Sequence, residues 1–127
     1  KHETAPAIIL HEQIHARSIS YYDSSFYDIY KHIEEASVQF MTQEICKIEG
    51  IEIIPSYYDE KSDILRIINR RINVCNNTYD FAKKLIEMPV TKRLDWLSNE
   101  MYDILSRDET ATLEEYQELA EMLNTLY

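Results

Sequence analysis

Two histidines four positions apart, with a glutamate beside the first, are the residues of this chain best suited to chemistry. They are His11, Glu12 and His15 in the run LHEQIHA. On a helix, residues at this spacing share one face with Cβ atoms roughly 5–6 Å apart, so both imidazoles can reach one metal ion. Imidazole is a preferred ligand of Zn²⁺, and a flanking carboxylate can take a proton from water. The spacing predicts a zinc site with Glu12 as catalytic base; two coincidental surface histidines are the alternative.

A third ligand is expected from a neighbouring helix, because zinc in hydrolases usually takes three protein ligands and keeps one position for water. The next predicted helix carries the pair Glu34-Glu35. On a helical wheel Glu34 borders the apolar face and Glu35 points nearly opposite, so periodicity alone favours Glu34. The wheel is a poor guide, however, for a central helix that is packed on both sides.

These residues resemble the gluzincin branch of the zincin metallopeptidases, in which HExxH on one helix is completed by a glutamate on the next. In thermolysin-like members that glutamate follows the second histidine by twenty residues, which is Glu35 here. The run IEEASVQFMTQEI is also similar to the helix of small bacterial zincin-like domains, where the ligand precedes a small residue, here Ala36. Such helices often place a carboxylate four residues after the ligand to orient a histidine, and this chain has Gln39.

The resemblance covers about residues 5–48 and implies metal-assisted hydrolysis of a peptide bond. In that reaction His11, His15 and Glu35 hold Zn²⁺, Glu12 is the catalytic base, and the substrate is a peptide or a protein. A non-catalytic zincin-like domain with a regulatory or protein-interaction role is the alternative. Zincins normally carry a β-sheet before the HExxH helix, and we expect this sheet to be missing or reduced here.

Two other residue types invite attention near the predicted site. A phenol beside zinc can stabilise an oxyanion, and Tyr22 and Tyr27 are the candidates by position. Packing of amphipathic tyrosines at the rim of a helical core is the other interpretation. His32 lies one turn before Glu35 and either leans over the site or is a plain surface histidine.

The composition and the helix start and stop signals of the sequence predict a single all-α domain over residues 1–127 with five to six helices. One glycine and three prolines in 127 residues leave few positions for turns. The two site helices are expected at about 5–18 and 28–48, the second ended by Gly50, and a helical C-terminal part at about 59–127. Within that part the predicted helices are 59–74, one capped by Asn77 or Thr78 and ending before Pro89, 91–105, and one opened by the Thr112–Glu115 capping box. The run IEIIP at 51–55 is expected to be extended.

The net charge of −10 and the pI near 4.8 argue against a nucleic-acid surface, since phosphate binding requires clustered basic residues. We interpret the basic pairs as solvated helix faces; they are Arg70-Arg71, Lys83-Lys84 and Lys92-Arg93. No apolar run approaches the roughly 18 residues of a membrane span. Cys46 and Cys75 lack metal-type spacing and are typical of free thiols in a reducing compartment, which predicts a cytoplasmic protein. The chain opens at Lys1 rather than Met, so an upstream segment with an export signal is the alternative.

Overall fold

Six helices make up most of the chain in the computed structural model, which describes residues 5–18, 24–53 and 55–127. The helices are α1 (Ala5–Arg17), α2 (Ser24–Glu49), α3 (Asp59–Ile72), α4 (Thr78–Glu87), α5 (Val90–Arg107) and α6 (Leu113–Leu126). The described residues contain no strand, so the predicted all-α fold is confirmed. The described part of the 51–56 segment is neither helix nor strand.

Local capping chemistry explains where several helices begin and end. The side chain of Asn77 accepts a hydrogen bond from the backbone N–H of Asp80 at the start of α4. Thr112 accepts one from Glu115 at the start of α6. Each bond satisfies an amide that has no partner inside the helix. At the end of α2, Gly50 takes a positive φ of 68°, a conformation that glycine adopts without steric cost.

The largest difference from the predicted boundaries is at the start of α2. The helix begins at Ser24, four residues before the predicted start at 28, and its backbone is not helical at Tyr30, with φ −109° and ψ 21°. The predicted start therefore lies close to a kink. The third helix stops at Ile72 rather than 74 because Asn73 adopts the left-handed conformation with φ 48°.

The long α2 is the centre of the fold and packs against all five other helices. Every residue from Ile33 to Thr42 on this helix is buried. The core around it includes Phe40, whose ring meets Phe81 of α4 edge-on with centroids 5.7 Å apart. Because α2 is covered on all sides along this stretch, neither Glu34 nor Glu35 faces bulk solvent.

Of the helices that the structure describes, none is both long enough and apolar enough to cross a bilayer. The α1 helix packs against α2, which brings the HExxH residues to the stretch of α2 that contains both glutamates.

Candidate metal centre

Three side chains from α1 and α2 turn one atom each toward a common point. The Nε2 atoms of His11 and His15 are 3.1 Å apart, and Oε2 of Glu35 lies 3.2 Å from the first and 3.0 Å from the second. Ligand atoms around a tetrahedral zinc with bonds of roughly 2.0–2.2 Å are roughly 3.3–3.5 Å from one another. The three atoms nearly span one face of such a tetrahedron, so the residues present fit a zinc ion.

The ring of His11 is oriented by a relay that ends at a carboxylate. Nδ1–H of His11 donates to Oε1 of Gln39 at 3.0 Å, and the amide nitrogen of Gln39 donates to Oδ1 of Asp59 at 3.1 Å. Because the carboxylate of Asp59 only accepts, the amide of Gln39 must present its oxygen to His11. The proton of neutral His11 therefore lies on Nδ1, and the lone pair of Nε2 points toward Glu35.

The ring of His15 is held by the other glutamate. Its Nδ1–H donates to Oε2 of Glu34 at 2.8 Å, and both side chains are buried. The second carboxylate oxygen of Glu34 accepts bonds from the hydroxyl of Ser18 at 2.7 Å and from Nη1 of Arg93 at 2.9 Å. The two adjacent glutamates therefore make different contacts. Glu35 lies against the Nε2 atoms of both histidines, whereas Glu34 orients the ring of His15 through its Nδ1.

Glu35 is itself held in place by a phenol. The hydroxyl of Tyr27 donates to Oε1 of Glu35 at 2.6 Å, which leaves Oε2 facing the histidines. Tyr27, one of the two candidates for an oxyanion stabiliser, therefore orients a candidate metal ligand through its hydroxyl. Tyr22, the other predicted candidate, lies outside the described residues. His32 is exposed and contributes nothing to this cluster, in agreement with a plain surface histidine.

The electrostatics of the cluster favour positive charge at its centre. Burial alone lowers the pKa of His15, but hydrogen bonds and charge interactions with Glu34 and Glu35 outweigh it and raise this pKa to about 9. Burial opposes ionisation of Glu35, yet its polar contacts with His11, His15 and Tyr27 hold its pKa well below the ordinary range. The pKa of Glu34 is lowered against burial in the same way, chiefly by His15 and Arg93. An environment that stabilises a protonated imidazole also stabilises a metal cation.

Glu12 lies on the solvent side of this cluster, where the side chain is exposed. Together with His11 it lines a cavity of about 210 Å³ between α1, α2 and the segment after α2. The ring of Tyr58 lines the same cavity and stacks over His11 at a centroid distance of 6.4 Å. A cavity of roughly 150 Å³ holds a benzene molecule, so this one has room for a single substrate side chain. A small group that enters it reaches both Glu12 and His11.

The interpretation of Lys92-Arg93 as a solvated pair was wrong for Arg93. Lys92 is exposed, but Arg93 is 0% exposed and pairs with Glu34. Arg93 lies three residues after Val90 and four before Leu97, both of which are buried. That helical spacing places it on the buried stripe of α5 and was the sequence signal that could have identified it. Asp59 and Ser18, which also support the histidines, carry no comparable signal.

A scan against protein-family models, a search of curated proteins and a search of solved structures each return no match for this chain.

Proposed function

We propose that this chain is a zinc-dependent metallopeptidase-like domain that hydrolyses peptide bonds. The observation that carries the proposal is the convergence of His11 Nε2, His15 Nε2 and Glu35 Oε2 within 3.2 Å of one another. A separate partner also orients each of the three side chains: Gln39 binds His11, Glu34 binds His15 and Tyr27 binds Glu35. Burying ionisable groups together is costly for stability, so a complete and oriented set of this kind favours a functional site.

His11, His15 and Glu35 are the residues that would hold the zinc. When bound, zinc acts as a Lewis acid that polarises a carbonyl oxygen and lowers the pKa of water. The three protein ligands leave one tetrahedral position for water or substrate. The protein's own contribution is orientation: Gln39 and Glu34 keep the Nδ1 protons in place so that both Nε2 lone pairs remain available.

Glu12 is the proposed base. Its carboxylate accepts a proton from the attacking water and then delivers it to the amine that leaves. It lines the cavity beside His11, where the walls also include the apolar side chains of Ala7, Ile8 and Ile53. These walls bind a part of the substrate, a peptide or a protein, next to the reacting groups and exclude water around it.

Metal content and peptide cleavage test the proposal in two steps. The purified protein is expected to bind about one zinc per chain, to lose it to a chelator and to regain it when zinc is added. Digestion of a peptide library, followed by mass spectrometry, is expected to show cleavage by the wild type and none by Glu12→Gln. Protein that stays metal-free in the presence of zinc contradicts the proposed site.

The second candidate is a non-catalytic zincin-like domain that keeps the metal and acts by binding a protein partner. One observation favours it: the described residues contain no strand along which an extended peptide could pair. The two candidates differ in the library experiment. Zinc binding without any cleavage, and with wild type and Glu12→Gln indistinguishable, supports the second.

A further inference from the structure

Arg93 on α5 buries a full positive charge beneath the candidate metal centre. Its Nη1 donates to Oε1 of Glu34 at 2.9 Å, and its Nη2 donates to the hydroxyl of Ser18 at 2.9 Å. Its Nε donates to the backbone carbonyl of Met88 at 3.1 Å. A buried guanidinium is tolerated only where charge and hydrogen bonds compensate it, and Arg93 meets both conditions.

The contacts of Arg93 lead directly to a candidate ligand. Arg93 and Ser18 both bind Oε1 of Glu34, and this fixes the carboxylate so that Oε2 meets Nδ1 of His15 at 2.8 Å. The carboxylate in turn fixes the rotation of the imidazole and the position of its proton. The direction of the His15 Nε2 lone pair therefore depends on a residue 59 positions away from Glu34 in the chain.

We propose that Arg93 is a positioning residue for the metal centre, acting through Glu34 on His15. The inference rests on the proposed zinc site and adds to it that α5, a helix that supplies no ligand, sets the affinity for zinc. A carboxylate that has lost one of its charged partners can leave the imidazole or turn toward another donor. In either case His15 samples rotations in which Nε2 no longer faces Glu35.

A purely structural role is the competing explanation, because Arg93 also binds carbonyl oxygens at the end of α4. These belong to Met88 and Ile86, and a cation at this end of a helix is stabilising. Loss of such a contact lowers the free energy of unfolding. It leaves the properties of the metal centre unchanged in the molecules that remain folded, so the metal centre itself must be measured.

The test compares Arg93→Lys with the control Arg71→Lys. Lysine keeps the charge, but its single ammonium cannot reach Glu34, Ser18 and the Met88 carbonyl in the geometry of the guanidinium. The control changes an arginine–glutamate pair between two other helices, since Nη2 of Arg71 on α3 donates to Oε2 of Glu115 on α6 at 3.2 Å, away from the hydrogen bonds that lead to His11 and His15.

Three readouts are used on the full chain: zinc affinity by chelator competition, visible absorption of the Co²⁺-loaded protein, and the ¹⁵N shifts of the His15 ring without metal. We expect Arg93→Lys to weaken zinc binding by roughly tenfold to a hundredfold, as for other groups that orient a ligand. We also expect a changed Co²⁺ spectrum and changed His15 shifts, and no change in any readout for Arg71→Lys.

Wild-type zinc affinity and a wild-type Co²⁺ spectrum in folded Arg93→Lys overturn the inference, and so does an equal loss in both variants. If Arg93→Lys does not fold, Ser18→Ala is used instead, because it keeps the Arg93–Glu34 ion pair and removes the hydroxyl that binds both residues. Unchanged zinc affinity in Ser18→Ala also overturns the inference. A wild-type protein that binds no zinc refutes the proposed function instead. The His15 shifts of the metal-free variants then still show whether Arg93 positions the ring.

Discussion

The division of roles between two adjacent buried glutamates gives the sharpest prediction. Glu35→Gln and Glu34→Gln each replace one carboxylate oxygen by an amide nitrogen at nearly constant volume. In the structure Glu35 faces both Nε2 atoms, whereas Glu34 faces Nδ1 of His15 and the guanidinium of Arg93. We expect the first variant to lose zinc with little loss of stability, and the second to lose stability together with a part of its zinc affinity, because Glu34 orients His15.

The size of each effect follows from what each carboxylate contacts. Zinc bound by four protein ligands gains roughly 10–16 kcal/mol, so one ligand contributes about 3 kcal/mol, or roughly a hundredfold in affinity. In Glu34→Gln the new amide can accept a hydrogen bond from His15 or from Arg93 but has no second oxygen for the other. Breaking a buried ion pair from one side costs about 3–5 kcal/mol of unfolding free energy. The Glu35→Gln variant leaves no guanidinium unpaired, since Arg93 keeps its ion pair with Glu34.

Zinc-dependent unfolding in urea measures both effects in one experiment. At a free zinc concentration of a hundred times the wild-type Kd, zinc stabilises the wild type by about 2.7 kcal/mol. A hundredfold weaker Glu35→Gln gains only about 0.4 kcal/mol at that concentration. Metal-free Glu34→Gln is expected to unfold at markedly lower urea than metal-free Glu35→Gln. Wild-type zinc affinity in Glu35→Gln, together with loss of zinc in Glu34→Gln, would refute this assignment and make Glu34 the ligand.

Further substitutions probe the base, the His11 relay and the core. Glu12→Gln is expected to keep zinc affinity and stability while abolishing peptide cleavage, because an amide cannot accept the proton of water; cleavage at the wild-type rate excludes Glu12 as the base. Gln39→Leu removes the acceptor of His11 Nδ1–H and is expected to weaken zinc roughly tenfold by chelator competition; unchanged affinity would show that the relay does not orient His11. Leu97→Ala empties a fully buried position and is expected to cost about 2–5 kcal/mol in urea unfolding, whereas Leu113→Ala, at an exposed site, should cost less than about 0.5 kcal/mol. Equal costs for the two leucine variants would contradict the burial of Leu97 in the core.

The helices were predictable because their determinants are local. Asn77 and Thr112 lie next to the amides that they cap, and Gly50 follows the helix that it ends. A sequence shows such relations directly. The kink at Tyr30 has no proline or glycine beside it to reveal it in the sequence, and α2 begins four residues before its predicted start.

The spacing of His11 and His15 was equally local, but the environment of α2 was not. A helical wheel assumes one buried face, and Ile33 to Thr42 are buried all round because five helices surround α2. The wheel therefore could not separate Glu34 from Glu35. The resemblance indicated Glu35, and the structure brings Glu35 to both histidines while Glu34 meets Arg93.

The groups that orient the candidate ligands come from distant parts of the chain, and this limits what an HExxH spacing can predict. Gln39 fixes His11 only because Asp59, at the start of α3, takes the other end of its amide, and Glu34 is fixed by Arg93 on α5. The histidine spacing establishes that two imidazoles can converge. Whether their Nε2 lone pairs point at one ion depends on how α3 and α5 pack against α2. A chain with the same α1 and α2 but an apolar residue at position 93 would keep the three candidate ligands, and we expect it to hold zinc less tightly.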